Sequence, residues 1–162
     1  SVQAEFELTA PQQAAMANPV LSPTIPNTDG WRSAEIPSAN GFATARALAT
    51  LYGCMAGSGV LDETSITYPS VIEQAIRPQA SGVDLVMGLD VRWGCGFLCN
   101  SLDLYGPNPR AFGHSGWGGS FAFADPERKL GMAYTMNSMG VDLVGDPRNL
   151  ALIDAIYERG VK

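Results

Sequence analysis

An α+β fold, an antiparallel sheet flanked by helices, is the architecture this sequence predicts. Three observations lead to it. An amphipathic helical stripe runs through residues 43–57. Short β-rich runs broken by Gly, Pro and Asn fill residues 83–137. A second amphipathic helix follows Asp146. The chain therefore divides into an irregular, loop-rich segment (1–37), a helical segment (38–82) and a segment of antiparallel strands with a closing helix (83–162). Together these read as one part of a larger domain.

In the first segment, Pro11, Pro19, Pro23, Pro26 and Pro37 leave no usable period. A structureless stretch of this length either binds something or packs on something. The first helix is better marked. Leu48, Leu51, Tyr52 and Met55 recur at i, i+3, i+4, i+7, which predicts one core-facing stripe. Alternate alanines supply propensity. Ser38, Asn40 and Thr44 are candidate caps, and Gly57 and Gly59 end the helix. Tyr68 to Ile76 reads as a second helix, stopped by Pro78.

Strand signals begin at Val83. Asp90 to Leu98 suits a single strand, as do Ala111 to His114, Ser120 to Phe123 and Leu130 to Asn137. Asp125-Pro-Glu-Arg-Lys129 reads as a hairpin turn. Asp62, Glu63 and Glu73 read as a solvated face. Asp146-Pro-Arg starts the last helix, with Asp at the N-cap and Pro at the first helical position. Leu150, Ile153, Ile156 and Tyr157 form its apolar face.

The chain has 162 residues, within the span of one domain. Only 16% are charged, which predicts surface normally covered by a partner chain or further sequence. The net charge is −6, the mean hydropathy +0.03, and lysine occurs only at Lys129 and Lys162. No basic patch exists to neutralise phosphates, so nucleic acid is not an expected partner. No apolar run approaches the ~18 residues of a membrane span. Residues 1–7 lack the pattern of a signal peptide, and Ser1 is not an initiator Met, so the chain reads as starting inside a longer frame. Three cysteines are an odd number. Cys95 and Cys99 on one extended strand would lie roughly 13 Å apart, beyond the reach of a disulfide. Buried free thiols are the reading, with no metal and no cofactor expected.

The run Gly113-His-Ser-Gly-Trp-Gly-Gly119 holds the only histidine, His114. It invites a nucleophile-elbow reading with Ser115 as nucleophile. The Gly-x-Ser-x-Gly pattern fails there, because Trp117 stands where the last Gly belongs. An elbow also opens a helix, whereas Phe121, Phe123 and Asp125-Pro126 point to strand and turn. The better chemical reading is a strand that lines a site. Gly116, Gly118 and Gly119 would let a substrate approach the main chain, and a backbone N–H aimed at a developing oxyanion stabilises it by a few kcal/mol. The bland alternative is a bulged, Gly-rich edge strand with a surface histidine.

The segment from Gly106 to Glu127, followed by Leu130-Gly-Met-Ala-Tyr-Thr-Met-Asn137, resembles the β-lactamase-related serine hydrolases. That group includes class C β-lactamase-like enzymes, family VIII carboxylesterases and penicillin-binding-protein relatives. The Asn40-Gly-Phe-Ala-Thr-Ala-Arg46 stretch and Arg92-Trp-Gly-Cys-Gly-Phe97 fit in the same order. The resemblance covers nearly all of this chain but only about the C-terminal two-fifths of a typical member. It implies the C-terminal part of a β-lactamase/transpeptidase-like fold.

Such enzymes use a Ser-x-x-Lys helix, a Tyr loop and a third motif, Lys-Thr-Gly or His-x-Gly, on a strand. His114-Ser115-Gly116 matches the third in its His-x-Gly form. The resemblance then implies that the Trp117 N–H is an oxyanion-hole donor and that His114 positions substrate or tunes the Lys–Tyr pair. Ser115, Gly116, Gly118, Trp31 and Asn40 follow as substrate-binding candidates. Neither lysine has Ser three residues before it, and no Tyr is followed by x-Asn. The nucleophile, its base and the Tyr are expected on an N-terminal half, as a separate chain or further sequence. The expected function is a carboxylesterase acting on small-molecule esters through an acyl-enzyme. The alternatives are a non-catalytic domain that packs on a partner chain and a β-lactamase or D,D-peptidase relative.

Overall fold

A computed structural model describes residues 8–16 and 22–160. The readings on residues 1–7 and on Pro19 lie outside the described residues. Two compact units are present: Ser1–Phe42 with Val83–Leu89, and Ala43–Gly82 with Asp90–Lys162.

The first unit holds more regular structure than its prolines suggest. Helix α1 spans Ala10–Met16, a 3-10 turn spans Ile25–Asn27, and α2 spans Asp29–Ser33. A capping box starts α1: the Thr9 N–H donates to Gln12 Oε1 at 3.0 Å, and the Gln12 N–H donates to Thr9 Oγ1 at 3.5 Å. Pro11 sits within the first turn, where its missing N–H costs nothing. Thr28 caps α2 by accepting from the Trp31 N–H. The expectation of an irregular stretch overlooked these two caps.

The second unit carries helices α3 (Ala45–Ala56), α4 (Pro69–Ala75) and α5 (Pro147–Arg159). Thr44 is the cap of α3, its side chain accepting from the Ala47 N–H, and Gly57 ends it. Between α3 and α4 lies a hairpin the sequence reading missed, β1 (Val60–Leu61) with β2 (Thr64–Ser65). Its turn residues, Asp62 and Glu63, both take positive φ, as a tight hairpin requires. They are exposed, as expected.

A six-stranded meander follows in strict chain order. Its strands are β3 (Ala80–Val83), β4 (Asp90–Trp93), β5 (Leu98–Cys99), β6 (Phe112–Ser115), β7 (Phe121–Asp125) and β8 (Leu130–Tyr134). The single strand expected from Asp90 to Leu98 is instead two strands joined by a tight reversal. The Gly94 N–H donates to the Phe97 carbonyl at 2.8 Å, and Gly96 takes φ +80°. This also corrects the reading of the thiols: Cys54 and Cys99 are buried, but Cys95, on the reversal, is exposed.

Alternation along β7 and β8 sorts the two faces. Ala122 opposes Ala133 and Ala124 opposes Gly131, giving one face small side chains only. Helix α3 lies on that floor. Tyr52, Ala56, Ile72, Phe112, Ala122 and Ala124 form the buried cluster there, with Leu48 and Met55 packed against it. Tyr52 and Phe112 each set a ring edge or tilt against a neighbour, Phe97 packing edge-on to both. Burial pushes the Tyr52 hydroxyl up to about 12. Leu51, expected in the stripe, is 40% exposed. The other face carries Phe121, Phe123 and Tyr134, and Tyr105 stacks on Phe123 at 5.7 Å.

Asp146 caps α5 as expected, accepting from the Arg148 N–H at 2.9 Å. Ile153 is the buried residue of its expected stripe; Leu150 is exposed, and Asn149 is buried beside it. Tyr157 reaches back to the sheet. Its hydroxyl donates to Asp125 Oδ2.

Candidate functional site

Strand β6 lies between β5 and β7, so the glycine-rich run does not start from a sheet edge. His114 opposes Ala122 and Ser115 opposes Phe121. His114 thus shares its face with Phe112 and α3, and Ser115 belongs to the opposite one. Along that first face β6 passes from a fully buried phenylalanine to an exposed histidine in two residues.

Two contacts orient the His114 ring. Its Nδ1 lies 2.8 Å from the Ser115 carbonyl oxygen. A carbonyl only accepts, so Nδ1 carries the hydrogen and the neutral ring keeps its lone pair on Nε2. Trp93 of β4 packs on the imidazole with ring centres 5.5 Å apart and a 34° tilt. The Ser115 side chain turns to the buried Tyr105 instead. Burial pushes the Tyr105 hydroxyl well above its ordinary range, and that hydroxyl has no hydrogen-bond partner among the described residues.

After Ser115 the chain makes a four-residue loop, 116–119, that closes on itself. The Gly116 N–H donates to the Ser120 carbonyl at 2.7 Å and the Gly119 N–H to the Gly116 carbonyl at 3.2 Å. The Gly118 N–H donates to the Asp142 carbonyl at 3.3 Å. The Gly118 carbonyl accepts from the Gly140 N–H and from Arg148 Nη2, each at 2.8 Å. The Trp117 N–H alone in this loop has no partner among the described residues. Trp117 is 41% exposed.

Arg148 is held in turn by Asp146, through Nε to Oδ1 at 2.9 Å and Nη2 to Oδ2 at 2.6 Å. The bonds from Arg148 hold the Asp146 carboxyl down to about 2, and the same pair raises the guanidinium further. Gly119 takes φ +108°, and a Cβ there would press on Arg148 Nη2 and Asp146 Oδ2. Only glycine serves at that position.

Trp31 and Asn40 belong to the first unit, and their described bonds are local. Trp31 is buried. The Asn40 side chain accepts from the Ile36 N–H and donates to the Trp31 and Ala34 carbonyls, which ties a loop together. A cavity of about 300 Å³ lies apart from the glycine loop, lined by Glu73, Arg77, Arg92, Cys99, Arg110 and Phe112 among others.

Sequence reasoning named Asp146 only as a cap and did not single out Arg148 or Trp93 for the site. One signal for Arg148 was available. It is the second helical residue of α5, where the positive helix end disfavours a cation, so an arginine there has another task.

A family model for Beta-lactamase matches residues 4–155, and the chain belongs to this family of serine hydrolases. It is 33% identical over 114 residues to the esterase/beta-lactamase LipL of Mycobacterium tuberculosis, covering 68% of this chain and 25% of LipL. The fold matches a family VIII carboxylesterase with a TM-score of 0.86 and 47% identity, over 91% of this chain and 40% of that one. It matches a penicillin-binding protein homologue from Caulobacter crescentus with a TM-score of 0.84 and 48% identity, over 94% and 41%. The chain therefore spans well under half the length of each of these relatives. The expected fold, mixed helices on an antiparallel sheet of the β-lactamase/transpeptidase type, is the one observed.

Proposed function

We propose that this chain is the C-terminal portion of a carboxylesterase that acts on small esters through an acyl-enzyme. It supplies the His-x-Gly strand and one oxyanion-hole donor, the Trp117 N–H. The observation that carries this is the 116–119 loop. Its other three N–H groups are satisfied within the protein, and the Trp117 N–H is left for a ligand.

In the reaction, a serine oxygen from a Ser-x-x-Lys segment attacks the ester carbonyl while its proton passes to the lysine–tyrosine base. The negative charge that builds on the carbonyl oxygen is stabilised by the Trp117 N–H, a donor that is strongest when that charge is largest. The C–O bond to the alcohol breaks, the alcohol leaves with the proton, and water repeats the attack to release the acid. His114, with Nε2 free to accept, positions substrate or tunes the base. Neither a metal nor a cofactor enters this scheme.

The test uses the complete protein and a fluorophosphonate, which labels activated serines. The label is expected on a Ser-x-x-Lys peptide and not on this chain. A label on Ser115 overturns the reading. A p-nitrophenyl ester is expected to turn over faster than a chromogenic cephalosporin; the reverse order assigns a β-lactamase, and failure of both supports a non-catalytic domain.

A further inference from the structure

The bonds that hold the glycine loop come to a focus on one side chain outside it. We infer that Arg148, braced by Asp146, is a positioning residue for the oxyanion hole, fixing the peptide plane that carries the Trp117 N–H. This rests on the role proposed above for that N–H.

The connection runs through two rigid peptide units. Arg148 Nη2 holds the Gly118 carbonyl. Because a peptide is planar, this also fixes the N–H of Gly119 on the far side of the same unit. That N–H donates to the Gly116 carbonyl. The Gly116 carbonyl and the Trp117 N–H belong to one further peptide plane, so the direction of the Trp117 N–H is set two bonds away from the guanidinium. The Gly140 N–H shares the Gly118 carbonyl, and Arg148 Nη1 holds the Ser138 carbonyl at 2.7 Å, so the 138–140 stretch is drawn into the same clamp.

The geometry assigns positioning and not substrate contact to Arg148. Its bonds to Asp146, Gly118 and Ser138 use four of the five guanidinium N–H groups. A lysine could not reproduce them, since an ammonium lacks the planar fork that reaches a carboxylate and two carbonyls at once.

The experiment compares Arg148→Met, Arg148→Lys and Asp146→Asn in the complete protein. Amide hydrogen exchange of a peptide covering 113–121 reads the clamp without reference to activity. In Arg148→Met it is expected to accelerate at least about tenfold, with the α3 peptide unchanged; equal exchange overturns the proposal. With a p-nitrophenyl ester, kcat is expected to fall about 100-fold with KM within about twofold, because a misdirected donor is felt in the transition state. Arg148→Lys is expected to recover little of the loss. Wild-type kcat in a folded Arg148→Met protein overturns the proposal. If that variant does not fold, Asp146→Asn takes its place, with an expected tenfold loss of kcat. A wild-type protein without esterase activity overturns the function proposed above instead, and the exchange measurement still decides the clamp.

Discussion

At the scale of single residues, one buried carboxylate was half legible. Asp125 was read as a turn starter. Its Oδ1 does accept from the Glu127 and Arg128 N–H groups and so makes the turn. Its Oδ2 accepts from Asn108 and Tyr157, which are far away in sequence and come together only in the fold. The carboxylate is fully buried. Removing the Tyr157 hydroxyl would leave one buried acceptor short, at a cost of about 1–3 kcal/mol. Tyr157→Phe is therefore expected to lower the urea midpoint without changing the slope. His114 presents the opposite case, an exposed side chain whose loss costs little stability. On the proposed function, His114→Ala in the complete protein should reduce kcat/KM by at least tenfold and leave the melting temperature within about a degree. Unchanged turnover would remove His114 from the site.

Among the elements, the helices and the later strands were readable because their periods and caps are local. Thr44, Gly57 and Asp146-Pro147 sit where the caps occur. The reversal at 94–97 was not readable, since Trp93, Cys95 and Phe97 keep a β-like composition through a turn that only glycines make possible. Of the β7 alanines, Ala122 falls within the strand expected over 120–123 and Ala124 just beyond it, and the purpose of both depends on the partner strand. They complete a flat floor under α3, and this makes a sharp prediction. A Cβ on Gly53 would lie 3.8 Å from Gly131 Cα, an ordinary contact, whereas a Cβ on Gly131 would overlap the Gly53 backbone and the Ala49 carbonyl. Gly131→Ala is expected to destabilise by about 1–3 kcal/mol through overpacking. Gly53→Ala should be neutral or stabilise by up to about 1 kcal/mol through helix propensity. Chemical denaturation of the two variants checks the asymmetry.

For the whole molecule, the family and the fold class were legible from the motif order, and the division into two units was not, because residues 83–89 join the first unit from the middle of the chain. One global property follows from the Asp146–Arg148 pair. The folded Asp146 carboxyl titrates near 2, below its ordinary value of about 3.9. Its contribution is present above pH ~4 and is lost as pH falls towards 2. Asp146→Asn should flatten the acid-unfolding curve in that window, followed by circular dichroism against pH; an unchanged curve would mean the pair adds nothing to stability. The reversal between β4 and β5 has a practical consequence as well. Cys95 is the one exposed thiol among the described residues, and it stands two positions after Trp93, whose indole lies on the imidazole of His114. A dye attached there requires no engineered cysteine. On the role proposed for His114, its emission would follow the arrival of a ligand there in real time, turning a feature of the backbone into a built-in optical probe.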